Sequence, residues 1–271
     1  MIFEAAKLHY LKELALDVIE ASRLRPGHHL QDKTGGELPA NGMFTEFPST
    51  NTTGVTLIKP GGGSSYPSFW IRDFAMSLSS GLIPLEEIAG MIRITASTQN
   101  GPEARMLDAA CIPPFAVPDH VNLDGSPVFY PGTYSPGSDQ GGEQFGFYPP
   151  YCDAFYFIEM VYEYLEQGGD PSILREVVGG YSILDRMEKA YAVPESDPET
   201  ELTKTELDRR AVNFGFMDIV VQTGFLLFSS ILKYRASLQL ARILERFERE
   251  HGKAEIYKEK ARRIQRAVPE V

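Results

Sequence analysis

Phe69-Trp70-Ile71-Arg72-Asp73-Phe74-Ala75 sets a tryptophan, an arginine and an aspartate at the mouth of an apolar helix. The same order, a loop, then a short polar signature with an acid, then a strongly apolar helix, returns at Tyr148-Pro149-Pro150-Tyr151-Cys152-Asp153 and at Asn213-Phe214-Gly215-Phe216-Met217-Asp218. Successive helical hairpins bring the chain back to the same end. Three such helices in the inner layer of a bundle therefore run one way and gather Asp73, Asp153 and Asp218 at one rim. Taken singly, each acid has a simpler explanation, because aspartate near a helix start is a favoured cap contributing ~1 kcal/mol.

The flanking pattern is mostly helical. Leu11, Leu14, Ala15, Val18 and Ile19 form an amphipathic stripe within Phe3 to Leu24, ended by Pro26 and Gly27. Helical periods return over Trp70 to Ser80 and Pro84 to Ser97, with Gly81 at the turn, and again over Tyr151 to Gln167 and Ser172 to Ala192. A long helix is expected from about Met217 towards Glu250 and a charged one from Lys253 to Val268. Gln31 to Ser68 reads as loop with a short alternating piece at Gly54 to Lys59, and Gln99 to Pro150 as a long loop rich in proline, glycine and aromatics. The expectation is one all-α domain over 1–271, with an N-terminal helix and a short β/loop segment near residues 40–68, and helical hairpins over 68–271.

The formal charge of −11 makes nucleic acid and anionic membrane poor partners. Acids and lysines interrupt the apolar positions of the first 24 residues, unlike a signal peptide, so a cytoplasmic location is expected. Phe214 to Tyr234 is broken by Asp218, Gln222, Thr223, Ser229, Ser230 and Lys233, which fits a buried helix and not a membrane span. Cys111 and Cys152 lie far apart and read as buried thiols, and His28-His29 has no second cluster, so no metal is expected. The Gly61-Gly62-Gly63 run lacks the lysine and following helix of a phosphate loop.

The acids do not stand alone. A sugar presents apolar C–H faces and a ring of hydroxyls, so Trp70, Tyr148 and Tyr151 can stack while Arg72 and Asp73 bond adjacent hydroxyls. Glu143 and the pair Asp119-His120 lie in the long loop, where they serve a subsite, or a displaced acid, or are solvated loop residues.

These residues resemble the six-hairpin glycosidases, the (α/α)6 toroid enzymes that include glucoamylases, trehalases and processing α-glucosidases, over roughly Ser68 to Glu250. Phe69 to Ala75 is similar to the W-x-R-D-x-A signature that holds the non-reducing sugar, which implies that Arg72 and Asp73 bind its hydroxyls. Pro150-Tyr151-Cys152-Asp153-Ala154 resembles the segment with the second sugar-binding acid, without the family's Arg-Asp-Gly. Phe214 to Asp218 is similar to the segment ending in the proton donor, with Met217 in place of the tryptophan; this casts Asp218 as general acid of an inverting hydrolysis. In such enzymes the acid and base stand ~6.5–9.5 Å apart. About seven helices are counted where a full toroid has twelve, so the resemblance implies an incomplete toroid whose base is not in this chain. Such a chain has a missing C-terminal half elsewhere, or an open side that promotes self-association. No cofactor is implied. The competing expectation is a catalytically inactive carbohydrate-binding or interaction fragment.

Overall fold

A computed structural model describes residues 5–30, 49–61, 67–131, 141–142, 145–212 and 221–270. Among them are seven α-helices: α1 (Ala5–Ser22), α2 (Ile71–Ser77), α3 (Leu85–Thr98), α4 (Cys152–Glu166), α5 (Ile183–Tyr191), α6 (Leu227–Ile243) and α7 (His251–Ala267). The helix α4 is the hub. It packs on α2, α3, α5 and α6, and it is buried on almost every face from Cys152 to Val161. A helix apolar all round has no solvent face to offer, so its stable place is the centre.

The all-α toroid expected from the hairpin pattern is not what forms. The architecture is mixed α/β, with five small sheets among the described residues interleaved with the helices. The strands β1 (Arg23–Leu24) and β2 (Leu57–Ile58) pair antiparallel, and β3 (Phe69–Trp70), β4 (Arg105–Leu107), β5 (Ala110–Ile112), β6 (His120–Val121) and β7 (Pro127–Val128) follow. Of these, β4 pairs with β5, and the order β3-β6-β7 makes a three-stranded sheet. Further on, β8 (Val177–Val178) with β9 (Tyr181–Ser182) and β10 (Lys204–Thr205) with β11 (Gly224–Phe225) form two more antiparallel pairs. Most strands hold two residues, a single period of the alternation with no repeat of it, and so leave no pattern to read. The region 99–150, read as loop, carries four of them.

Other boundaries moved for local reasons. The helix expected over Ser172 to Ala192 is a 3₁₀ turn at Pro171–Arg175, the β8–β9 hairpin, and only then α5. Ser182 ends the hairpin and caps α5 in a reciprocal bond with Asp185. The long helix towards Glu250 is α6, finished by one π-turn over Leu244–Glu248. The stripe of α1 is only partly used: Ile19 packs on the core, whereas Leu11, Leu14 and Val18 are exposed.

One close crossing orders the loop before α4. Phe147 and Tyr148 donate backbone bonds to the Arg210 carbonyl, and Val212 returns one to the Tyr148 carbonyl. Gly146 sits beneath this crossing at φ 151°, where a Cβ would lie 2.8 Å from Val212 N. Only glycine fits there.

Candidate functional site

The two described members of the acid set, Asp73 and Asp153, occupy the first turns of α2 and α4, which pack against each other. Neither N-cap position, Trp70 or Tyr151, makes a side-chain capping bond. Asp153 is wholly buried; one carboxyl oxygen takes a long contact from Cys152 Sγ at 3.9 Å, and Oδ2 has no partner among the described residues. Helix capping therefore does not account for Asp153. The Asp73 carboxyl keeps a local bond with its own backbone amide and lies 3.9 Å from Arg72 Nε.

The third carboxylate of the cluster comes from the long loop. Strand β3 pairs with β6 so that Trp70 stands opposite His120, and the Ile71 amide donates to the Asp119 carbonyl at 3.2 Å. This register lays Asp119 beside the start of α2. Its Oδ2 lies 2.9 Å from His120 Nδ1, and its Oδ1 has no partner among the described residues. Asp119 and His120 are buried, so the solvated-loop reading of this pair does not hold. When the carboxyl is ionised, the imidazole proton sits on Nδ1. The apolar neighbours Val117 and Val121 were the sequence signal that this dipeptide faces inward.

Electrostatically, the set is one arginine among acids. Burial works against the Arg72 charge, but the Cys152, Asp153, Asp119 and Asp73 groups, where ionised, outweigh it and hold the guanidinium above its ordinary value. Burial raises Asp153 well above the usual carboxylate range; Asp119 and Asp73 add to the rise and Arg72 opposes it. Asp73 is raised by burial too, with Arg72 opposing and Asp119 adding. Burial also pushes the Cys152 thiol well up, so it is an uncharged neighbour of Asp153 at neutral pH. One guanidinium cannot neutralise three carboxylates, and the deepest of them, Asp153, is the one pushed furthest towards its protonated form.

The aromatic residues fall differently from their expected role. Trp70 is buried and stacks on His120, with ring centroids 4.4 Å apart and planes at 21°, so one indole face is already covered. Tyr151 is buried, and burial raises its hydroxyl above its ordinary range. Tyr148 packs with Tyr151, Cys111, Ala211 and Leu226, and its hydroxyl accepts a bond from the exposed Arg209. Arg209 also lies over the Phe147 and Tyr148 rings at 5.2 and 5.3 Å. This aromatic and cationic patch is separate in its contacts from the Arg72 cluster.

Asp73 opens the cluster to a cavity. A space of about 200 Å³ is lined by Val18, Ile19 and Ser22 of α1, by Lys59 after β2, and by Asp73, Phe74 and Ser77 of α2. Asp73 has about a third of its side chain exposed, whereas Arg72 is almost closed off. Lys59 escaped the sequence reading, although its signal was present: Val55, Leu57 and Lys59 share one face of the alternating piece, and Leu57 is fully buried.

Asp218 and Glu143 lie outside the described residues. Among the described residues no group of three or more His, Cys, Asp or Glu is arranged to hold a metal ion, and no helix is long and apolar enough to cross a membrane. Neither a family model nor a curated protein matches the chain.

Proposed function

We propose that the protein acts on glycosides, with Arg72 and Asp73 holding the hydroxyls of a terminal sugar and Asp218 donating the proton to the glycosidic oxygen. The observation that supports this reading most is the convergence of Arg72, Asp73, Asp119 and Asp153, drawn from two helix starts and a loop, beside a cavity that Asp73 lines. A cation flanked by carboxyl groups offers alternating donors and acceptors, which is what adjacent hydroxyls require. Asp119, bonded to His120, and Asp153 act on the Arg72 charge from within the fold. The role of Asp218 rests on the resemblance of its segment to the proton-donor segment of six-hairpin glycosidases. The second reading, sugar binding without turnover, is favoured because no described residue is placed as general base, while the closure of Asp153 leaves Asp73 as the acid that meets the sugar.

The test is hydrolysis of a panel of aryl glycosides of both anomers by the full chain, alongside calorimetric binding of the free sugars. Turnover lost in Asp218→Asn, with binding lost in Asp73→Asn, supports glycoside hydrolysis. Binding that depends on Asp73 without turnover moves the protein to the second reading. Sugars that neither bind nor react sink both.

A further inference from the structure

The cavity beside Asp73 contains a group that sugar hydroxyls do not explain. Lys59 is 5% exposed, and its Nζ has no hydrogen-bond partner among the described residues. Its backbone is fixed, since the Lys59 amide donates to the Ser22 carbonyl at 3.0 Å, next to the β1–β2 pair. The walls around it are apolar or neutral: Val18, Ile19, Ile58, Phe74 and Ile83, with Ser22 and Ser77. The Ser22 and Ser77 hydroxyls are turned to their own helices, where they donate to the Val18 and Phe74 carbonyls at 2.8 and 2.7 Å. Asp73 is the acid on the cavity wall, yet it forms no ion pair with Lys59, and its charged neighbours are Arg72 and Asp119.

An isolated ammonium enclosed by apolar groups is costly, and an anion bound beside it would lower that cost. Burial pushes the Lys59 amine below its ordinary value, and no carboxylate among the described residues acts to restore it. A space of about 200 Å³ beside it accommodates a small anionic group. We propose that this cavity takes the anionic group of a sugar acid or sugar phosphate, bound by Lys59. That the rest of the ligand is a sugar, with a hydroxyl on Asp73, rests on the glycoside reading above; the anion on Lys59 does not.

The test is calorimetric titration of the full chain with D-glucuronate, glucose 6-phosphate, inorganic phosphate and D-glucose, repeated with Lys59→Met, Lys59→Arg and Asp73→Asn. Glucuronate or glucose 6-phosphate should bind at least tenfold more tightly than glucose, and whichever binds identifies a carboxylate or a phosphate. Lys59→Met should lose that preference and Lys59→Arg keep much of it. A circular-dichroism melt of each variant separates lost binding from lost folding. Glucose bound as tightly as the charged sugars, or charged sugars bound unchanged by Lys59→Met, overturns the proposal. So does a chain that binds none of the anions. Inorganic phosphate bound through Lys59, indifferent to Asp73→Asn and with no gain from a sugar ring, leaves the anion site standing and removes the glycoside reading. Glucose bound through Asp73 with no preference for the anions does the reverse.

Discussion

Asp153→Asn exchanges one oxygen for nitrogen in a closed interior and removes one titration. In the folded protein the Asp153 carboxyl is raised well above its usual range, because burial and the fields of Asp119 and Asp73 outweigh Arg72. A raised folded pKa means that the native state keeps a proton that the unfolded chain has already released. Stability from this source is complete below the unfolded value near ~3.9 and is lost as pH climbs to the folded value, at about 1.4 kcal/mol per pH unit. The amide variant has no such loss. Its extra N–H brings an offset of about 1–3 kcal/mol against it, but that offset does not vary with pH. The difference in unfolding free energy, variant minus wild type, should therefore climb by about 1.4 kcal/mol for each unit above about pH 4 until the folded carboxyl ionises. Urea unfolding at a series of pH values reads this directly, provided the slope against urea stays constant. A flat difference would refute the reasoning, since Asp153 would then titrate alike in both states. A difference that falls as pH rises towards about 4 and is flat above it would show that Arg72 prevails and that Asp153 is an ordinary ionised partner.

Two more substitutions probe the same balance of burial against charge. Glu159, on α4, is pushed up to about 7 by burial despite its ion pair with Arg235, so Glu159→Gln should gain about 3 kcal/mol on wild type between roughly pH 4.5 and pH 8. Parallel pH curves for the two proteins would remove that account. Arg72→Met leaves three carboxyl groups without their cation and should cost about 3–5 kcal/mol at neutral pH, with Arg72→Lys recovering part of it. An unmoved urea midpoint in Arg72→Met would show that the guanidinium is not what holds the acids.

The elements legible from the amino acids were those with enough residues to show a period. Helices α1, α3 and α4 stand within a few residues of where the 3.6 pattern puts them, because each spans three turns or more. The two-residue strands were not legible, and their omission made a mixed α/β chain look all-α. The same blind spot hid the site. Asp119 and His120 are brought to Arg72 by the β3–β6 register, a pairing across fifty residues that no local pattern encodes. Tertiary pairing also reassigned Trp70, whose ring reads as a stacking surface in sequence but is spent on His120 in the fold. Asp73 and Asp153 come together because α2 and α4 pack on each other, although the all-α toroid from which the hairpin argument expected them to meet does not form.

The lysine in the cavity joins stability to function in a way that one variant exposes. Without ligand, the wild-type chain carries an ammonium that apolar walls do not solvate, so Lys59→Met should raise the melting temperature; replacing buried charge by a side chain of similar volume is often neutral or stabilising by about 1–4 kcal/mol. With an anion at about a hundred times its dissociation constant, the wild type should gain about 2.7 kcal/mol, while the variant gains nothing. The order of the two melting temperatures should then close or reverse as ligand is added. A purely structural lysine predicts the opposite at the first step, because removing it would strand whatever it was paired with. Thermal melts of both proteins with and without glucuronate and glucose 6-phosphate thus separate the two roles, and a variant less stable than wild type in plain buffer would mean that the Lys59 partner lies within the protein itself.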